Sequence, residues 1–326
     1  MKLRVTLAVV GGALLALACS DTSNTITQPA APSFLDVAQS PSHIHVMPTR
    51  AVALGLDGAR PGSGKPKGGN TGIFYHGGPI LAGTKVAAIY WGTSRIYNGG
   101  PTPGSGGSGS QDGSLVGAFL RSLGGSPYFN INTTYYDGNN VHVGNSVTYT
   151  GFWADNANPG SKPTDAAIQA EVVKAFSNGL SYDASTIYLV FTGSGVNLGG
   201  GFGSQYCAYH GHFTSNGRDV KYAVEPYNYD FPSGCSALNG SPNNDYAADA
   251  EVNTLAHEIE EAATDPDLNA WYDRRGYENA DKCAWTFGST YTSNGATANM
   301  NFGGNDFLIQ RNWVDAGSGG CALAYP

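Results

Sequence analysis

The stretch NNDYAADAEVNTLAHEIEEAATDP, residues 243–266, constrains what this chain can fold into more than any other. Apolar residues recur at Ala248, Val252, Leu255, Ile259 and Ala262, the spacing of a helix with one buried stripe. Asn244 or Asp245 offers a start cap, and Pro266 a stop. The chain holds only seven glutamates in 326 residues, and three of them, Glu258, Glu260 and Glu261, follow directly on His257. A solvated acidic face, which accounts well for Glu260, usually carries lysine or arginine partners one turn on, and none stands here. His257 and Glu261 are four residues apart and share a face, with Glu258 beside them.

That layout is the zincin helix H-E-x-x-H with a glutamate in place of the second histidine. It assigns His257 as a nitrogen ligand and Glu261 as an oxygen ligand, and leaves Glu258 to take a proton from the water the metal activates. A third ligand is expected from YDRRGYENADKCAW (272–285), where Glu278 and Asp281 stand three apart beside Cys283. Asp267 is the second choice, because Thr264 occupies the glycine position that the shorter zincin spacing needs. Zinc is the expected ion. One histidine among carboxylates is also a hard shell that suits calcium or manganese.

Four runs rich in β-branched and aromatic residues read as strands: 85–91, 146–152, 185–193 and 221–226. TDAAIQAEVVKAFSNG (164–179) reads as a second helix, capped by Thr164 or Asp165 and closed by Gly179. The expected fold class is α+β: a mixed sheet packed by two principal helices in one domain over 71–326. The glycine-rich stretches 98–114 and 193–204 read as loops, the latter without the lysine of a phosphate loop.

The amino terminus has the form of a signal peptide over 1–18, with Lys2 and Arg4 ahead of an apolar run. Ala16-Leu17-Ala18-Cys19 reads as a lipobox, so Cys19 is the expected lipidation site and 19–70 a flexible tether. Ser20 points to the outer membrane of a bacterium. His43 and His45 fall in this tether and receive no role, while His76 and His212 read as surface or packing residues. Setting Cys19 aside, Cys207, Cys235, Cys283 and Cys321 allow three disulfide connectivities in an oxidising compartment. Pairing by neighbourhood joins Cys207 to Cys235 and Cys283 to Cys321. A net charge of −8 excludes a nucleic-acid partner and disfavours large anionic substrates.

Taken in order, YHGGPIL (75–81), KVAAIYWG (85–92), IYLVFTG (187–193), CAYH (207–210), KYAVEP (221–226), the H-E-x-x-E helix, NAWYD (269–273) and ENADKCAW (278–285) resemble the EXORDIUM or phosphate-induced protein family of plant cell-wall proteins and their bacterial relatives. The resemblance implies a surface location and roles for His210, His257, Glu258, Glu261, Glu278 and Asp281, with His210 a further ligand or a donor to a substrate oxygen. Two functions stand on these readings. One is a lipid-anchored, metal-dependent hydrolase of peptidase type. The other is a non-catalytic surface module that binds cell-wall glycan or protein around a structural ion, with Trp153, Trp271, Tyr272 and Trp313 available to stack on sugars.

Overall fold

The computed structural model describes residues 43–55 and 72–326. The stretch read as a signal peptide (1–18), Cys19 and most of 19–70 lie outside them. Seven strands form one mixed sheet: β1 (Ile44–Pro48), β2 (Thr84–Trp91), β3 (Gly106–Ser108), β4 (Val147–Asp155), β5 (Thr186–Thr192), β6 (Tyr206–Ser215) and β7 (Arg218–Glu225). Their order across the sheet is β1-β6-β7-β5-β2-β4-β3. The four inner strands β7, β5, β2 and β4 run parallel, and β1, β6 and β3 close the two edges antiparallel. All four runs read as strands are present. Near-continuous hydrophobic runs such as IYLVF need cover on both faces, and helices supply it.

One face carries Val86, Ala88, Tyr90, Leu189 and Phe191 under α1 (Leu115–Leu123) and α3 (Tyr246–Thr264). The other carries Ala87, Ile89, Tyr188 and Val190 under α2 (Asp165–Ala175), through Ile168 and Val172. The mixed α+β class is as expected, with α1 an addition to the two anticipated helices. Thr164 caps α2 by accepting from the Ala167 amide, and Asp245 caps α3 by accepting from Ala248. Stretch 98–114 is not loop throughout, since Gly106–Ser108 pairs with β4.

Two departures from the sequence reading bear on the site. The tether does not extend over 44–48: β1 lies along β6 from Ile44 opposite Gly211 to Pro48 opposite Tyr206, and Met47 is fully buried. Only glycine fits at 211, because a Cβ there would stand 2.0 Å from the His43 carbonyl oxygen. The second departure is α3, which has no solvated face: its residues from Ala247 to Thr264 are all buried. Glu260 is among them, its carboxylate accepting from Asn312 Nδ2 at 2.6 Å. The sheet and α1 cover the helix on its apolar side, and Asn279, Gln310 and Asn312 bond to it from the chain that follows.

Both disulfides take the neighbour pairing, Cys207–Cys235 and Cys283–Cys321, and they fit an oxidising compartment. The second spans a sequence separation of 38 and contributes on the order of 4 kcal/mol by the chain-entropy account. Among the described residues no helix is long and apolar enough to cross a membrane.

Substituting Gly211→Ala is expected to displace β1. Its amide protons would exchange many times faster, while those of β2 and β5 keep their protection. Unchanged exchange at Val46 and Met47 would contradict the close approach.

Candidate functional site

Sheet register sets the first half of the site. His45 on β1 lies opposite His210 on β6, and His210 opposite Ala223 on β7. Cross-strand partners point to the same face, here the one beneath α3. From above, α3 presents His257, Glu258 and Glu261, all fully buried. After the helix the chain returns through a short 3₁₀ turn, Asp281–Cys283, that places Glu278 and Asp281 against the same group. The Asp281 amide donates to Glu261 Oε1 at 3.1 Å, and the Cys283–Cys321 bridge anchors the turn.

Seven side chains therefore converge. His257 Nε2 lies 3.0 Å from Glu261 Oε1 and 3.6 Å from Asp281 Oδ1. His210 Nε2 lies 3.5 Å from Glu261 Oε2 and 3.5 Å from Glu278 Oε2. His45 Nε2 is bonded to Asp281 Oδ2 at 2.8 Å, and its Nδ1 is 3.5 Å from Glu278 Oε1. Six of the seven have side chains at most 2% exposed. His45, with 16% of its side chain exposed, is the member that faces outward.

Buried polar atoms are normally hydrogen-bonded, and exceptions call for a cause. Here both ring nitrogens of His210, Nε2 of His257, both oxygens of Glu258, and one oxygen each of Glu261, Glu278 and Asp281 lack a hydrogen-bond partner. These atoms approach one another without the alignment a hydrogen bond needs, as ligands do around an ion, and the donor set fits a divalent metal. One feature opposes it. Gln310 Nε2 sits 3.0 Å from His257 Nδ1 while also donating to the Ala280 carbonyl, and Gln310 Oε1 accepts from the Trp285 amide. That orientation makes Nδ1 an acceptor and puts the neutral ring's proton on Nε2. Binding an ion at Nε2 requires the proton to move to Nδ1 and the amide to turn over.

Protonation follows from burial and neighbours. Burial pulls His45 down, but the carboxylates of Asp281 and Glu261 outweigh it and hold it up to about 9. Burial dominates at His210, which falls to about 4. Burial, then the charge of Glu261, pushes Glu258 well up; burial and Asp265 do the same to Glu278, and Asp281 rises too. Against its own burial Glu261 is lowered, because His257 and His45 face it. Without an ion, burial pushes Glu258 and Glu278 toward their protonated forms, while Glu261 stays ionised opposite the histidines.

Each residue read as part of the site from sequence is brought into it: Glu258, His210, His257, Glu261, Glu278 and Asp281. Asp267 is not. It lies 3.1 Å from Lys221 in a separate surface group with His212 and Asp219. His76 stacks on Tyr272, ring centroids 3.7 Å apart, and His43 pairs with Asp165. The residue missed is His45. Its signal was the alternating run IHVMP, five residues long and isolated among prolines and serines.

A second carboxyl pair lies farther along α3. Glu251 accepts from Asn228 Nδ2 at 3.1 Å and from the Asn228 amide at 3.3 Å. Burial raises Glu251 to about 8, and burial with the adjacent Glu251 charge raises Glu225 further.

The conserved region of phosphate-induced protein 1 matches residues 121–303, a span that includes His210, the α3 cluster, Glu278 and Asp281 but not His45. The chain is 26% identical to Protein EXORDIUM-like 5 of Arabidopsis thaliana, over 74% of this chain and 75% of that protein. It is 38% identical to Protein EXORDIUM-like 3 of the same plant, over 22% of this chain and only 26% of that protein. No solved structure matches.

Raised carboxyl pKa values mean that the folded chain keeps protons the unfolded chain releases above about 4.5. The stability of the metal-free chain is therefore expected to fall as pH rises from 4.5 to about 8, the window set by Glu251. Glu251→Gln should flatten that slope in thermal melts; an unchanged slope would contradict the assignment.

Proposed function

The chain belongs to the phosphate-induced protein 1 family, and from that premise and the buried cluster we propose that it is a secreted, metal-dependent hydrolase. The observation that carries this reading is the convergence of buried atoms without hydrogen-bond partners from His210, His257, Glu258, Glu261, Glu278 and Asp281, with His45 beside them. Zinc is the first candidate. Three imidazoles instead of one make the shell softer than the sequence implied, which favours zinc, then manganese, over calcium. A bound divalent ion would polarise a carbonyl oxygen and acidify water at the site.

The chain's own groups would divide the remaining work. Glu258, with both oxygens free of hydrogen bonds, takes the proton and later returns it to the leaving group. His210 is positioned to bind the ion or donate to a substrate oxygen. Gln310 braces His257 from behind. Substrate access lies on the side of His45, and the substrate class is a peptide or a cell-wall polymer. Lipidation at Cys19 would hold the protein on the cell envelope, on an outer membrane if the source is a bacterium.

A second reading, a non-catalytic module with a structural ion, is favoured by the closure of the centre. Among its seven side chains only that of His45 is more than 2% exposed.

Hydrolysis of a peptide library and of cell-wall fragments by the zinc-loaded chain separates the two. Glu258→Gln should keep the metal and lose at least 100-fold in turnover. Turnover that survives in Glu258→Gln removes the base, and no turnover in the native chain removes the hydrolase. Ion uptake should also release more than one proton, because burial and neighbouring charge hold Glu258, Glu278 and His45 toward their protonated forms. Calorimetry in buffers of different ionisation enthalpy measures this.

A further inference from the structure

The cluster has more ligands than one ion can use, and their arrangement has two poles. Each of three carboxylates sends its two oxygens to different histidines. Glu261 places Oε1 3.0 Å from His257 Nε2, and Oε2 3.5 Å from His210 Nε2 and 3.8 Å from His45 Nε2. Asp281 places Oδ1 3.6 Å from His257 Nε2 and Oδ2 2.8 Å from His45 Nε2. Glu278 divides itself between His45 Nδ1 and His210 Nε2, at 3.5 Å each. One pole is thus His257 with Glu261 and Asp281. The other lies between His45 and His210.

Three sets of ligand atoms lie within 4.8 Å of one another: His45, Glu261 and Glu278; His210, Glu258 and Glu261; His257, Glu261 and Asp281. Glu261 is in all three. Zinc takes four or five ligands, and manganese or magnesium about six, whereas seven side chains converge here.

Building on the metal reading above, we propose that the centre is dinuclear: two divalent cations share Glu261 as a bridging carboxylate, and His45 on the edge strand holds one while His257 on α3 holds the other. Asp281, with one oxygen toward each pole, is the second bridge. His45 is then a ligand, and β1 part of the site. Hydrolysis with two ions suits a substrate whose attacking and leaving oxygens are both stabilised, an ester or phosphoester as readily as a peptide.

The test is metal content of the full chain, loaded with zinc or manganese and freed of excess by gel filtration. Two ions per chain are expected. His45→Ala and His257→Ala should each lower the count to one, and manganese in the native chain should show the spectrum of an exchange-coupled pair by electron paramagnetic resonance. One ion per chain, unmoved by excess metal, overturns the dinuclear centre and leaves the single-ion reading intact; no ion overturns both. Two ions that persist in His45→Ala, or that give only the six-line signal of isolated manganese, also overturn it. Circular dichroism of the two variants identifies any that fail to fold. In that case His45→Gln and His257→Gln serve, with the same counts expected.

Discussion

Burying four carboxylates beneath one helix is the constraint on which the rest of this structure depends. An ionised carboxylate moved out of water costs several kcal/mol even after the protein relaxes, and α3 brings Glu258 and Glu261 into a space that Glu278 and Asp281 also enter. The surrounding architecture answers that cost. β1 and β6 set two histidines side by side on the face below, and the Cys283–Cys321 bridge fixes the turn that carries Asp281. Gln310 braces His257 through a bond made possible by its own hold on Ala280 and Trp285. Metal-free, the group settles by keeping protons; with ions, it would exchange those protons for metal charge.

Polar groups elsewhere on the same helix show how selective this is. Glu260 points away from the histidines, and one of its oxygens, Oε2, accepts from Asn312. Glu251 has donors from Asn228 and a protonated neighbour in Glu225. The cluster around Glu261 differs in kind, because there three histidines crowd four carboxyls.

Much of this was legible in the sequence, for reasons tied to particular residues. Runs rich in β-branched and aromatic residues marked β2, β4, β5 and β7, because parallel inner strands are apolar on both faces. The i, i+4 spacing of His257 and Glu261 needed only a helix to become a site, and Cys283 beside Asp281 marked the turn as anchored. His45 was hidden because a strand of five residues owes its place to a partner far along the chain: β1 exists through its pairing with β6, and local composition around it reads as a tether. Glu260 was read as solvated because one apolar stripe predicts one buried face, whereas α3 is enclosed by chain that follows it, whose path no local pattern announces. Asp267 followed a motif spacing that fails here, since the turn after Thr264 sends it to Lys221.

The most direct test of the central claim is a crystal of the chain grown with zinc and measured on both sides of the zinc absorption edge. The account predicts anomalous density within bonding distance of His257 Nε2 and Glu261, with Gln310 turned so that its oxygen accepts from His257 Nδ1. A map with no anomalous peak at the cluster, and with His257 Nε2 hydrogen-bonded to Glu261 at the observed amide orientation, would contradict it.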